Sequence, residues 1–187
     1  MTIRILAVCT GNICRSPMAE ALLHAGAAVV GLDAQIASVG SWESGVAADP
    51  HAISVMSDRG LDITGHLSHK AAVVDIEAAD LILTMAVEHI VDVAGQVPEA
   101  FTHAFTLKEF VARARELGPK DQSLTLDTYL GLLGDGRSRT EMLRADERYD
   151  IGDPLGQGRR AFERTATELE VLVWAAVDLL VGYPARS

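Results

Sequence analysis

The sequence contains few cysteines, few aromatic residues and no long hydrophobic run. Two cysteines among 187 residues, Cys9 and Cys14, are too few for the disulfide framework of a small secreted domain. Their C-x4-C spacing has no companion pair, which argues against a structural zinc site. The first apolar segment, IRILAV, is too short for a signal-peptide core or a membrane span. We therefore expect a cytoplasmic protein.

Positive charge is also scarce. The chain has 16 lysines and arginines against 26 acidic residues, which gives a formal net charge of -10. Nucleic acids and anionic membrane surfaces bind proteins that present a basic face, so neither is expected as a partner. An anionic ligand would have to be held by a compact site made of backbone N–H groups and a few cations.

Apolar segments alternate with helical patterns along the chain. The predicted strands are IRILAV, AQIASVGS, AADLILTM and AFTHAFTL. The predicted helices are SPMAEALLHAGAAVV, DPHAISVMSDRG, VEHIVDVAGQV and RRAFERTATELEVLVWAAVDLLV. Such alternation is typical of parallel βαβ units. We therefore predict one α/β domain over residues 1–187, with a four-stranded parallel twisted sheet and helices on both faces.

Helix starts and one apolar face can also be predicted. Ser16 before Pro17, and Asp49 before Pro50, have the pattern of an N-cap followed by proline in the first turn. The last helix carries an apolar stripe that we expect to face the core, comprising Phe162, Ala166, Leu169, Leu172, Val173, Ala176 and Leu180. Residues from about 112 to 148 mix helical pieces, glycine breaks and charges, as in a lid or a partner surface.

The turn between the first strand and the first helix has the features of an anion site. Backbone N–H groups in such a turn point inward, and the helix N-terminus adds partial positive charge. The pattern from Cys9 is C-x5-R-S, which is neither a Walker A motif nor a dinucleotide fingerprint. The predicted phosphate-binding residues are Thr10, Gly11, Asn12, Ile13, Cys14, Arg15 and Ser16.

The position of Cys9 at the mouth of this turn adds a nucleophile to the anion site. Backbone donors and the neighbouring Arg15 stabilise a thiolate. A thiolate that faces a bound phosphoryl group is placed for in-line attack, while the arginine can pair with two equatorial oxygens. We therefore predict Cys9 as nucleophile and Arg15 as phosphate-binding cation, and no metal or organic cofactor.

The segment VCTGNICRSPMAEA resembles the signature loop of the low-molecular-weight protein tyrosine phosphatases, a family with bacterial members and a related arsenate reductase branch. The resemblance continues in SVG, ADPHAISVMSDRGLDITGH, ADLILTM and GDPLG, and residues 112–148 lie outside it. It implies a Rossmann-like phosphotyrosine phosphatase fold and a cysteinyl-phosphate intermediate. It also implies a hydrogen-bond network that holds the loop in shape, formed by Asn12, Ser16, Ser38 and His66.

Hydrolysis of a phosphate ester also needs an acid to protonate the leaving oxygen. Asp153 is the predicted acid, because its Asp-Pro pair is followed by LGQG, which has a loop pattern with flanking glycines. Asp49-Pro50, by contrast, is followed by a helical pattern. The resemblance also implies an acid at Asp153, which would then activate water; Asp150 is the alternative.

Two features bear on substrate and regulation. Tyrosine-specific members of the family usually carry aromatic residues after the Asp-Pro pair, whereas this chain has Leu155 there. We predict that Leu155 and Trp42 form the walls of the substrate site. Cys14 is either packed beneath the loop or able to form a protective disulfide with Cys9, and the sequence leaves both open.

The main prediction is a phosphatase acting on phosphate monoesters, with protein phosphotyrosine as the favoured substrate and small phosphate esters as the other class. One alternative is a thiol-dependent arsenate reductase, since arsenate mimics phosphate. The other is a non-catalytic protein that binds phosphate or a phosphopeptide. The sequence does not indicate the oligomeric state.

Overall fold

Four parallel strands form the centre of the structure: β1 (Ile3–Cys9), β2 (Ala34–Gly40), β3 (Leu81–Thr84) and β4 (Ala104–Thr106). This computed structural model describes residues 2–42, 44–138 and 147–185, without the side chain of Glu147. The strand order is β2-β1-β3-β4, and each pair of neighbours is parallel. The carboxyl ends of all four strands therefore lie at one edge of the sheet, where β1 ends at Cys9.

Helices cover both faces of this sheet within the described part of the chain. One face packs against α1 (Arg15–Val30), α2 (Pro50–Ser57), α5 (Leu107–Leu117), α6 (Leu126–Leu133) and α7 (Arg159–Leu180). The other face packs against α3 (Val73–Ala78), α4 (Val87–Gln96) and a 3-10 turn, Pro98–Thr102. The predicted single α/β domain with a four-stranded parallel sheet is confirmed.

The apolar character of β1 follows from this burial on two sides. Ile5 and Ala7 belong to the core under α1 and α7, whereas Leu6 and Val8 belong to the core under α4. Successive strand residues point to opposite faces, so a strand covered on both sides needs a continuous apolar run. That constraint leaves polar chemistry to the ends of the strand.

Two local predictions differ from the structure. The segment AFTHAFTL was expected to be one strand, but Pro98–Thr102 forms a 3-10 turn and only Ala104–Thr106 pairs with β3. Proline suits the first turn of a helix because its missing N–H has no partner there in any case. The first helix begins at Arg15 with Cys14 as N-cap, so the prediction of Ser16 as the cap was wrong.

The other helix predictions are confirmed. Asp49 caps α2, with its carboxylate accepting the His51 N–H at 2.7 Å, and Pro50 is the first helical residue. The apolar stripe of the last helix is buried in the core, with Leu172 only partly buried. Among the described residues, no helix combines the length and apolarity needed to cross a membrane.

The described part of the 112–148 segment is tied to the domain by Arg137; residues 139–146 lie outside the description. The Arg137 guanidinium donates to Glu109 Oε1 at 2.9 Å and to two backbone carbonyls, those of Phe101 and Ala104. It also lies over the Phe105 ring, 4.1 Å from its centroid. Only 2% of the Arg137 side chain and 5% of Glu109 are exposed, so this ion pair is buried.

The buried ion pair predicts a large stability loss for Arg137→Met. The change leaves Glu109 without one of its cations and leaves buried carbonyl groups without a donor, which costs about 3 kcal/mol of unfolding free energy. Urea unfolding measures this difference. Arg160→Met, an exposed change on α7, is the control and should stay within about 0.5 kcal/mol of the wild type. Equal stability of the two variants would contradict the prediction.

Candidate active site

The active-site loop, Cys9–Ser16, begins at the last residue of β1 and ends in the first turn of α1. Cys9 is 2% exposed, and the helix that follows is 16 residues long. The unpaired N–H groups at the start of such a helix, with its macrodipole, favour a negative charge at this end. The sequence thus places the Cys9 sulfur where the fold concentrates hydrogen-bond donors.

The Cys9 sulfur receives two hydrogen bonds. The Asn12 backbone N–H donates to Sγ at 3.2 Å, and the Ser16 hydroxyl lies 3.0 Å from Sγ. Ser16 Oγ already accepts a hydrogen bond from Asn12 Nδ2 at 2.9 Å. The Ser16 hydroxyl also lies 3.5 Å from the Val39 carbonyl oxygen, a longer contact than the one to sulfur. The Ser16 hydrogen can therefore be donated to the sulfur, and the arrangement stabilises a thiolate.

Asn12 holds the loop in shape. Its φ of +50° is the one positive value among the described residues other than glycine, and asparagine tolerates this conformation better than most residues do. Nδ2 also donates to Ser38 Oγ at 2.8 Å, and Oδ1 accepts the His69 N–H at 2.8 Å. His66 Nε2 lies 2.7 Å from the Asn12 carbonyl oxygen. The structure thus brings together the residues that the resemblance implies for loop support, with Ser16 as the fourth.

Two further residues support this network, and the sequence analysis did not assign either of them to it. Ser38 Oγ donates to Glu20 Oε2 at 2.6 Å, which fixes the direction of the Ser38 hydroxyl. Gly40 ends β2 beside the loop, and a Cβ there would lie 2.8 Å from the Thr10 oxygen and 2.9 Å from the Asn12 nitrogen. Any larger residue would displace the loop. In the sequence, Ser38 and Gly40 are the first and last residues of the SVG segment that carries part of the family resemblance.

Arg15 is buried and points its guanidinium at the loop and at the 151–153 segment. NH1 donates to the Ile151 carbonyl at 3.2 Å. NH2 donates to Thr10 Oγ1 at 3.2 Å and to Asp153 Oδ2 at 2.6 Å. Among the described residues, the Nε atom has no hydrogen-bond partner although it is buried. The Nε–H group is therefore available to a ligand, while NH2 is shared with the Asp153 carboxylate.

The two acid candidates occupy different environments. The Asp153 side chain is 44% exposed, contacts Arg15 and accepts the Leu155 N–H at 3.0 Å. Asp150 instead accepts the N–H of Val87 at 2.8 Å, at the start of α4. The Asp150 carboxylate is thus bonded to the first residue of α4, whereas the Asp153 carboxylate lies at Arg15.

Cys14 is buried in the protein core, and Ile13 is partly buried against it. Both cysteines are free thiols, and Cys14 is 4% exposed. Burial raises the pKa of Cys14 to about 12, and the charges of Asp49 and Asp153 act in the same direction. The Ile13 carbonyl accepts the Asp49 N–H at 2.8 Å. Cys14 therefore remains protonated and is a poor nucleophile beside Cys9.

Trp42 and Leu155 present exposed apolar surface near the loop. Trp42 is 56% exposed, and its backbone N–H donates to the Thr10 carbonyl oxygen at 3.2 Å. Its ring lies beside Gly11, where an added Cβ would be 3.5 Å from the ring. Leu155 is 41% exposed and its N–H contacts Asp153. Trp42 thus lies beside the Thr10–Gly11 part of the loop, and Leu155 lies beside Asp153.

A histidine that the sequence analysis did not single out also reaches the loop. His89 lies in α4, is 1% exposed, and has its Nε2 atom 2.9 Å from Thr10 Oγ1. Burial, and secondarily the Arg15 charge, lowers the pKa of His89 to about 3. The sequence signal for it is a polar residue type among the buried apolar residues of α4, which are Val87, Ile90 and Val93. Across the described ranges, no three His, Cys, Asp or Glu side chains group as metal ligands.

Comparison with known proteins places this site in a family. The family model for "Low molecular weight phosphotyrosine protein phosphatase" matches residues 4–122. A protein-arginine-phosphatase of Bacillus subtilis is 39% identical over 108 residues, which are 57% of this chain and 71% of the relative. A probable low molecular weight protein-tyrosine-phosphatase of Ralstonia solanacearum, EpsP, is 40% identical over 105 residues, 56% of this chain and 70% of the relative.

Solved structures extend the similarity beyond residue 122. The low molecular weight protein tyrosine phosphatase from T. tengcongensis has a TM-score of 0.69 and 31% identity, covering 91% of this chain and 95% of its own. A YwlE mutant from Bacillus subtilis has a TM-score of 0.71 and 28% identity, covering 94% and 97%. The chain belongs to the low molecular weight phosphotyrosine protein phosphatase family.

Proposed function

We propose that the chain is a cysteine-dependent phosphatase that hydrolyses phosphate monoesters on proteins through a cysteinyl-phosphate intermediate. The observation that supports this most directly is the Cys9 sulfur, which receives hydrogen bonds from Asn12 and Ser16 at the start of a helix. Family membership supports the same reaction class. Cys9 is the proposed nucleophile, Arg15 the phosphate ligand and Asp153 the acid. The proposed domain spans residues 1–187 and acts in the cytoplasm.

Binding of the phosphate should change the partners of Arg15. Its Nε and NH2 atoms share one edge of the guanidinium, the edge that pairs with two phosphate oxygens. Nε is unpartnered among the described residues, but NH2 donates to Thr10 and Asp153. A bound phosphate therefore replaces Asp153 on NH2. The released carboxylate lies in a loop with Gly156 and Gly158 at positive φ, where it can take a proton and approach the leaving group.

The reaction then proceeds in two displacements. The Cys9 sulfur attacks phosphorus, the bond from phosphorus to the ester oxygen breaks, and Asp153 gives its proton to that oxygen. In the second step Asp153 takes a proton from water, the water oxygen attacks phosphorus, and the P–S bond breaks. The Ser16 hydroxyl stabilises the departing thiolate, and Arg15 stabilises the charge on the equatorial oxygens in both steps.

Cys9→Ser should abolish turnover, because a serine hydroxyl in this site is a far weaker nucleophile than a thiolate. Hydrolysis of p-nitrophenyl phosphate without metal ions, and its inhibition by vanadate, measures the change. Cys14→Ser is the matched control and should retain measurable turnover, since the Cys14 thiol is protonated and buried. Turnover by Cys9→Ser, or none by folded and reduced wild type, would contradict the proposal and favour phosphate binding or arsenate reduction.

Asp153→Asn should separate acid catalysis from phosphate binding. Loss of the proton donor should lower kcat by about 10²- to 10⁴-fold for a phenyl ester, and less for p-nitrophenyl phosphate, whose leaving group needs no proton. Inhibition by inorganic phosphate should become stronger, because Arg15 no longer pairs with a carboxylate. The control Asp150→Asn removes the charge at the start of α4 but keeps an oxygen that can accept the Val87 N–H, and it should not change the dependence on the leaving group.

Protein phosphotyrosine is the proposed substrate class, because Trp42 offers an exposed aromatic face beside the loop. Trp42→Ala should raise KM for a phosphotyrosine peptide about tenfold, the loss expected for one aromatic contact. Inhibition of the Trp42→Ala variant by inorganic phosphate should be the same as that of the wild type. Because one relative is named a protein-arginine-phosphatase, a phosphoarginine peptide is the comparison substrate. Faster hydrolysis of phosphoarginine by the wild type would overturn the phosphotyrosine assignment.

A further inference from the structure

His89 lies beside the active-site loop, yet the two displacements do not use it. Its ring is buried, and burial together with the Arg15 charge lowers the pKa of His89 to about 3, so the ring is neutral near pH 7. Nε2 lies 2.9 Å from Thr10 Oγ1. The carboxylate of Glu88 is 3.5 Å from the same nitrogen and is 70% exposed, which makes it a weaker contact. The neutral ring therefore acts as a hydrogen-bonding group at Thr10.

The Thr10 hydroxyl joins this ring to the arginine. An arginine N–H can only donate, so Thr10 Oγ1 accepts the hydrogen bond from Arg15 NH2. The hydroxyl can donate its own hydrogen to the neutral His89 ring at the same time. A chain of two hydrogen bonds thus runs from the interior helix α4 to the guanidinium that binds phosphate.

We propose that His89 is a positioning residue for Arg15, acting through the Thr10 hydroxyl to keep the guanidinium in place when phosphate displaces Asp153. This inference rests on the proposed phosphatase function. With Asp153 displaced, Thr10 is the remaining described protein partner of NH2. The contribution of His89 is therefore largest in the phosphate-bound state.

The two ends of the guanidinium are supported by the same part of the fold. Asp150 accepts the Val87 N–H at the start of α4, the helix that carries His89. The next residue, Ile151, donates its N–H to the Met85 carbonyl and accepts a hydrogen bond from Arg15 NH1. Ile151, which accepts from NH1, and His89, which contacts the Thr10 partner of NH2, are thus both held at the start of α4.

The cost of burying His89 also favours a role beyond packing. Its Nδ1 atom is buried and has no hydrogen-bond partner in the described part of the chain. An apolar side chain at this position would avoid that cost. A role for Nε2 in the hydrogen bond with Thr10 would explain why a histidine occupies this position despite that cost. Packing alone would therefore predict a stable and fully active His89→Leu variant, whereas positioning predicts a folded variant that binds phosphate poorly.

The test measures phosphate binding through protection of Cys9 from iodoacetamide, with the modified residue identified by mass spectrometry. His89→Leu should weaken phosphate binding by up to about tenfold, the upper range for one hydrogen bond between neutral groups. The alkylation rate without phosphate should stay within about twofold of wild type, because the donors to the sulfur are untouched. His89→Gln should recover most of the loss, since its amide reaches the position of Nε2. His89→Asn, whose amide reaches only the position of Nδ1, should not.

A double-mutant cycle with Thr10→Val checks the route of the effect. If His89 acts through the hydroxyl, Thr10→Val with His89→Leu should bind phosphate no more weakly than Thr10→Val alone. Wild-type phosphate binding by His89→Leu, equal loss in the Gln and Leu variants, or multiplied losses in the double variant would each overturn the inference. Urea unfolding confirms that each variant is folded. If wild type binds phosphate but hydrolyses no ester, the proposed function fails while the His89 comparison still gives its answer.

Discussion

The hydrogen bonds of the Asn12 side chain are the interaction on which the active-site loop depends. The loop must curl tightly enough for the Asn12 N–H to face the sulfur, which places this residue at positive φ. That strain is offset by three bonds of the amide, to Ser16, Ser38 and the His69 N–H. Because one amide group sets both the backbone donor and the Ser16 hydroxyl, the environment of Cys9 is fixed before any ligand arrives.

In the proposed reaction, competition for Arg15 links this loop to Asp153, the proposed acid. In the absence of phosphate, Asp153 is paired with NH2 at 2.6 Å, and the carboxylate remains 44% exposed. Phosphate offers the same guanidinium two oxygens and a larger charge, so it displaces the carboxylate from the arginine. In this proposal, displacement frees the Asp153 carboxyl group from the arginine, so that it can approach the leaving oxygen.

The sequence predicted what local chemistry determines and missed what tertiary packing determines. The C-x5-R-S spacing between a strand and a helix predicted that Cys9 and Arg15 lie in one loop, and the structure places them there because only five residues separate them. The network around Asn12 came from the family resemblance, and Glu20 and Gly40 were missed because their roles arise only when β2 lies beside the loop. Ser16 has the residue type of a helix cap, but the nearby sulfur and amide give its hydroxyl other partners.

The acidity of the whole chain acts on a different length scale from the site. Charges separated by more than about 8 Å are largely screened at physiological ionic strength, whereas the donors around Cys9 act at hydrogen-bond distance with little intervening water. The net charge of -10 therefore does not prevent a phosphate from binding once it is in the loop. It affects the encounter instead, since a negative surface repels acidic segments and attracts basic ones. Among phosphorylated proteins, we therefore expect those with basic or neutral residues around the phosphate to reach this site most readily.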